Sequence, residues 1–285
     1  MILGSIEAGG TKFVCATSDK EFNILKRIEF PTTSVEETFG NVIQFFTDNP
    51  VNALGVGSFG PIDLDASSKT YGYITNTPKP GWKDTNFIGI LSVLDIPVYW
   101  TTDVNAAAYG EYINDDAINS CLYFTIGTGV GGGFVNNGEV HNGFSHPEMG
   151  HMIVRKHPND DFKGFCVFHG DCLEGLASGP TIHARTGIKG QDLPDDHEVF
   201  DHIASYIAQA AYNTTLVLSP DKIVLGGGVM SDKLLSKVKI EFTNIMQSYV
   251  ETPVLEDYLT TPTLGNNAGT IGCLALAKKL LTNNN

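Results

Sequence analysis

Two stretches of this sequence are built on one plan. Residues 2–17 read Ile-Leu-Gly-Ser-Ile-Glu7-Ala-Gly9-Gly10-Thr11-Lys12-Phe-Val-Cys-Ala-Thr. Residues 121–133 read Cys-Leu-Tyr-Phe-Thr125-Ile-Gly127-Thr128-Gly129-Val-Gly131-Gly132-Gly133. Each passes from apolar β-formers through a Gly/Thr turn into a second β run, the pattern of a hairpin. Glycine lets backbone amides come near a phosphate, and Thr11 and Lys12 add a hydroxyl and a positive charge. Either turn alone fits an ordinary hairpin equally well, and the Walker spacing is missing. Two matched turns about 120 residues apart are a stronger constraint: they predict two similar halves facing each other, with nucleotide phosphates held by both.

The chain between and beyond these turns reads as α/β. Ser34-Val-Glu-Glu37 fits a capping box, and Val35, Phe39, Val42, Ile43 and Phe46 follow at helical spacing up to Pro50. The apolar run Ala53–Ser58 predicts a buried strand of a mostly parallel sheet. A second short β run ends at Thr102-Asp103-Val-Asn105-Ala-Ala-Ala, where the pattern turns helical. Asp and Asn favour helix N-caps, so a capping role for Asp103 is the simplest reading of that stretch. The same corner lies at the carboxyl end of a strand, where open α/β sheets place ligands, and the flanking glycine turns favour a catalytic carboxylate. Residues 62–86 are loop-rich and 181–201 polar. The strand Lys222–Leu225 runs into Gly226-Gly227-Gly228-Val229, a third strand-to-glycine junction, suited to a flat base or a ribose. Asn267-Ala-Gly269 opens a final apolar helix, and Asn283–Asn285 are expected to fray.

The 285 residues allow two domains, and the formal charge of −14 argues against a nucleic-acid surface. An anionic ligand such as ATP then needs local positive potential from lysine, backbone N–H groups or a metal ion. No apolar run reaches a membrane span and no export signal opens the chain, so a cytoplasmic protein is expected. Five cysteines in such a chain predict thiols rather than disulfides. Cys166, His169 and Cys172 fall within seven residues, with His151 upstream. Two thiolates and two imidazoles make a tetrahedral set for Zn²⁺, with His157 as an alternative fourth ligand on spacing. Four protein ligands leave no open position, which favours a structural metal ordering the acidic residues Glu148 and Glu174.

These residues resemble the ROK family (repressors, open reading frames and kinases) of the sugar-kinase/actin-like ATPase superfamily, and within it the bacterial fructokinases. The likeness spans the chain through Ile6–Ala16, Ser58–Pro61, Asp103–Ala108, Thr125–Gly129, Ser145–His151, Cys166–Glu174 and Leu225–Val229. It implies a two-domain actin-like ATPase (ribonuclease-H-like) sugar kinase fold with a zinc-bound insert at 145–180. The expected division is an N-terminal α/β domain, 1–103, completed by the helix 269–285, and a C-terminal α/β domain, 104–268. The resemblance implies ATP in the cleft, Mg²⁺ with it, and phosphorylation of D-fructose to fructose 6-phosphate with Asp103 as general base. Gly9, Gly10, Thr11 and Lys12 match the first phosphate loop and Thr128 and Gly129 the second. Pro180, Gly226, Gly227, Gly228 and Val229 match positions near the nucleotide. Glu148, His151 and Glu174 match sugar positions, His151 also being a zinc ligand with Cys166, His169 and Cys172.

The chain departs from the wider family at Glu7, where Asp is usual, at Thr102, where Asn is frequent, near Lys79, where a sugar-contacting Asn is found, and at His169, often Cys. The changes at Thr102 and Lys79 lean away from a glucokinase pocket and toward fructose. A mannose or glucose kinase is the alternative within the family. A sugar-responsive repressor is the alternative outside catalysis, and it calls for a helix-turn-helix segment before a phosphate loop that here begins at residue 7. A homodimer is the expected assembly, with no nucleic-acid or membrane partner.

Overall fold

The computed structural model describes residues 1–282; the expected fraying of Asn283–Asn285 lies outside the described residues. The chain divides into two compact units, one made of residues 1–116, 138–147 and the segment from Asn266 onward, the other of 117–137 and 148–265.

In the first unit the expected hairpin forms. Strand Leu3–Ala8 pairs antiparallel with Lys12–Ser18, which pairs antiparallel with Ile24–Pro31. On the other side Leu3–Ala8 runs parallel to Ala53–Ser58, and that strand parallel to Val98–Thr102. The buried run Ala53–Ser58 is thus an inner strand, covered on both faces, as its unbroken apolar and small residues require. Helix Val35–Asp48 starts at Ser34, whose hydroxyl accepts the Glu37 N–H at 3.3 Å, and buries Phe39, Val42 and Phe46. Those side chains join Phe13, Trp82, Phe87 and Trp100 in a largely aromatic core. The helix Ala268–Thr282 belongs to this unit. Its Leu274 and Ala277 pack on Leu3 and Ala53, and the Cys273 thiol lies 3.5 Å from the Ile6 carbonyl.

The second unit repeats the scheme. Strand Ser120–Ile126 pairs antiparallel with Val130–Asn136 and parallel with Lys222–Gly226, which pairs parallel with Leu259–Thr260. Helix Val199–Leu218, apolar over most of its circumference, lies in the core with Leu173, Leu176, Ile182, Leu225 and Phe242. The polar stretch 181–201 is more ordered than its composition suggests: helix Gly179–Thr186 has Pro180 in its first turn and stops at Gly187. Among the described residues no helix is long and apolar enough to cross a membrane.

Candidate active site and metal centre

The parallel register of the first unit brings its candidate residues to one edge. Ala8 pairs with Ser58, and Ser58 with Thr102, so three adjacent strands end together. From these ends leave the turn Gly9–Thr11, the turn Phe59–Ile62 and the helix that opens at Asp103. The first turn is closed by the Gly9 N–H on the Lys12 carbonyl at 2.9 Å. Thr32 braces it, donating its N–H to the Thr11 carbonyl at 2.9 Å and its hydroxyl to the Gly9 carbonyl at 2.7 Å. Lys12 pairs with Glu29 at 3.0 Å, both side chains about half exposed.

The N-cap of the helix Asp103–Ile113 is Thr102, whose hydroxyl accepts the Asn105 N–H at 3.2 Å; Asp103 is its first residue and its Oδ1 accepts the adjacent Val104 N–H at 2.9 Å. The cap that sequence alone would give to Asp103 is therefore Thr102's, and the carboxylate stands at the strand end as a half-buried group. Glu7, two strands over in the sheet, accepts the Thr270 hydroxyl at 3.2 Å. Removal from water, then the nearby Asp103 charge, pushes the Glu7 carboxyl above its ordinary range. Two carboxylates thus share one corner, and the inner one resists ionisation.

His146, for which the residue pattern alone suggests no role, is buried, and its Nε2 accepts the Ile62 N–H at 3.0 Å. Burial lowers its affinity for a proton, keeping the acceptor nitrogen available. It braces the turn after Ser58 from 84 positions away, a pairing that sequence spacing does not reveal.

In the second unit the candidate nucleotide residues converge. The Gly127 N–H closes on the Gly129 carbonyl at 2.9 Å, and the Gly179 N–H, beside Pro180, reaches the Gly127 carbonyl at 2.7 Å. Thr125 pairs with Gly226 in the sheet, and the Val229 N–H donates to the Ile126 carbonyl at 2.9 Å. Gly227 has φ of +94°, and a Cβ there would run into the Ile126 carbonyl, so only glycine serves. Thr128–Gly129, Pro180 and Gly226–Val229 therefore form one glycine-walled neighbourhood.

The metal candidates also meet. The ligand atoms of His151, Cys166, His169 and Cys172 all lie within 4.8 Å of one another. The Cys166 sulfur is 3.7 Å from His151 Nδ1 and 3.8 Å from His169 Nδ1, and the Cys172 sulfur 3.5 Å from His151 Nδ1. Bond lengths of about 2.3 Å to sulfur and about 2.0 Å to nitrogen at tetrahedral angles require an S···N edge of about 3.5 Å, so the donor set fits such an ion. His157 stands against His202 instead, ring centroids 4.8 Å apart, and is outside the group. The five cysteines are free thiols.

The acidic residues lie beside this group. Glu148 precedes the turn Met149–His151 and takes the His151 N–H on its carbonyl at 3.0 Å. Burial raises the Glu148 carboxyl, His151 opposes that and Glu174 adds to it, so the two carboxylates and the imidazole sense one another. Glu174 does one thing that the sequence does not announce: its Oε2 accepts the Val130 N–H at 3.0 Å.

Comparison with known proteins places this arrangement. The ROK family model matches residues 3–280. The chain belongs to the ROK family. It is 51% identical to a fructokinase of Lactococcus lactis subsp. cremoris over 98% of each chain, and 50% identical to a fructokinase of Pediococcus pentosaceus over 99% of this chain and 100% of that one. A ROK hexokinase structure from Thermus thermophilus superposes with a TM-score of 0.80 at 24% identity, covering 99% of this chain and 100% of that chain. The architecture is accordingly the sugar-kinase fold of ROK enzymes.

Proposed function

We propose that this protein is a fructokinase, moving the γ-phosphoryl group of ATP to the 6-hydroxyl of D-fructose. What carries the reading is the roughly half-identical match, along the whole chain, to fructokinases from several bacteria. The geometry within each unit is in keeping with it. Asp103 accepts the proton of the sugar hydroxyl as that oxygen bonds to phosphorus, and the bond from the γ-phosphorus to its bridging oxygen breaks, leaving ADP. A hydroxyl is a poor nucleophile at neutral pH, so a carboxylate positioned at a strand end supplies what the substrate lacks.

The backbone amides and hydroxyls of Gly9–Thr11 and of Thr128–Gly129, with Lys12, serve the phosphates. Lys12 leaves Glu29 for the nucleotide, a small cost for an exposed pair. Pro180 and Gly226–Val229 line the base and ribose. Glu148, His151 and Glu174 hold sugar hydroxyls. Mg²⁺ entering with ATP would neutralise charge on the phosphoryl oxygens. A zinc ion held by His151, Cys166, His169 and Cys172 would tie down the loop that bears these acids, with no ligand position left for water. The protein works in the cytoplasm as a homodimer, the commonest assembly for soluble enzymes.

A coupled assay of ADP release across fructose, mannose and glucose tests the activity and the sugar together. Fructose should give the highest kcat/KM. A preference for glucose or mannose would move the chain to another hexose, and no ADP release with any hexose would refute the kinase reading.

A further inference from the structure

The contact between Glu174 and the second glycine turn joins two parts that the functional reading treats separately. Glu174 lies on the short helix Leu173–Ala177, which begins directly after the metal-group residue Cys172. That helix is pinned on both sides to the metal loop: the Leu173 N–H donates to the Met152 carbonyl at 2.9 Å, and the Phe165 N–H to the Gly175 carbonyl at 2.9 Å. From this anchored position Glu174 extends to the turn and accepts the Val130 N–H. Gly129 makes room for it. A Cβ there would lie 2.7 Å from Glu174 Oε2. The next residue along the chain, Val130, is buried in the strand that returns from the turn.

We infer that Glu174 is the positioning residue through which the Cys/His group shapes the nucleotide's phosphate turn, in addition to any grip on the sugar. One carboxylate has two oxygens and accepts more than one hydrogen bond. A side chain that braces the Gly127–Gly129 turn with one oxygen has the other for a sugar hydroxyl. Loss of order around the metal group is then felt as weaker nucleotide binding even when no sugar is present. The inference rests on the reading that this turn meets ATP phosphates.

The experiment uses the full-length, metal-loaded protein and titrates ADP alone and fructose alone by calorimetry into wild type, Glu174→Gln and Glu174→Ala. The Gln side chain keeps an oxygen that can accept the Val130 N–H, whereas Ala leaves that buried donor without its partner, worth about tenfold in affinity. Glu174→Ala should weaken ADP binding about tenfold, Glu174→Gln should stay within about threefold of wild type, and both should lose fructose affinity. Metal-stripped wild type should show the same ADP loss as Glu174→Ala. If ADP affinity is equal in wild type and Glu174→Ala while fructose affinity falls, Glu174 serves the sugar only and the inference is overturned.

Amide exchange at Val130 separates this failure from failure of the functional reading. Protection in wild type and Glu174→Gln, with fast exchange in Glu174→Ala, supports the brace whether or not ADP binds; equal protection in all three refutes it. Absence of ADP binding in wild type would instead sink the kinase reading. Should Glu174→Ala fail to fold, Glu174→Asp, one methylene shorter, is read by the same criteria.

Discussion

The two glycine turns share a backbone plan and differ in what braces them. The turn at Gly9–Thr11 is held from within its own sheet, by Thr32 at the end of the neighbouring strand. The turn at Gly127–Gly129 is held from outside, by Gly179 and by Glu174, both on chain that follows the Cys/His group. A repeated sheet therefore does not imply a repeated site. The first unit sets the Asp103 carboxylate at the end of its own sheet; the second takes Glu148 and Glu174 from the chain beside the Cys/His group.

Substitutions that strike one unit and spare the other are the way to break this contrast. The largest effect belongs to the first unit. Asp103→Asn should cut kcat by at least about a hundredfold and as much as about ten-thousandfold, with ADP and fructose affinities within a few-fold of wild type. Steady-state kinetics paired with calorimetry checks it; near-normal kcat would remove Asp103 as the base.

Chelation strikes the second unit, which holds the Cys/His group. A tightly held structural ion adds on the order of 4 kcal/mol to the folded state, which for a chain of this size is about 10 °C in melting temperature. Calorimetric scans before and after chelation should show that drop, and back-titration with Zn²⁺ should reverse it. An unchanged melting curve in verified metal-free protein would make the cluster incidental.

A smaller effect sharpens the account of how the second unit is stabilised. Asp160 is buried, and although burial works against its charge, hydrogen bonds from Arg185, Tyr206 and the Phe162 N–H draw its pKa down to about 2 from an ordinary 3.8. Because the folded value lies below the unfolded one, this contribution is present above about pH 4 and is lost as pH falls toward 2. Asp160→Asn should cost about 2–4 kcal/mol near neutrality, and the gap to wild type should close on acidification. Denaturant melts at a series of pH values decide it; a gap independent of pH would mean that packing, not charge, is lost.

The smallest effect compares the turns themselves. A Cβ at Gly10 meets nothing within 4 Å, whereas one at Gly129 meets Glu174. Gly10→Ala should change stability by less than about 0.5 kcal/mol, while Gly129→Ala should be measurably destabilised. Equal melting temperatures would argue against the brace on the second turn.

Much of this was legible from residue order because it is local. The paired turns, the capping box at Ser34, the buried strand Ala53–Ser58 and the Cys166–His169–Cys172 spacing are all written within short windows. Spacing alone does not choose between His151 and His157 for the metal group's fourth member, because it measures chain distance, not direction; only the fold turns His157 toward His202. The cap at Thr102 was hidden because Thr, Asp and Asn stand almost consecutively, each able to cap, and one residue of register decides. The braces from Glu174 and His146 cross 44 and 84 positions, so no local pattern encodes them. The polar stretch 181–201 conceals a helix and half of the Asp160–Arg185 pair for the same reason: its order comes from partners elsewhere.

The most direct measurement is phosphorus NMR of the protein mixed with ATP, Mg²⁺ and fructose. The account predicts one new sugar phosphate monoester signal, assigned to the 6-position, growing in step with ADP, and absent with Asp103→Asn. ADP accompanied by inorganic phosphate instead, or no change in the ATP signals, would contradict it.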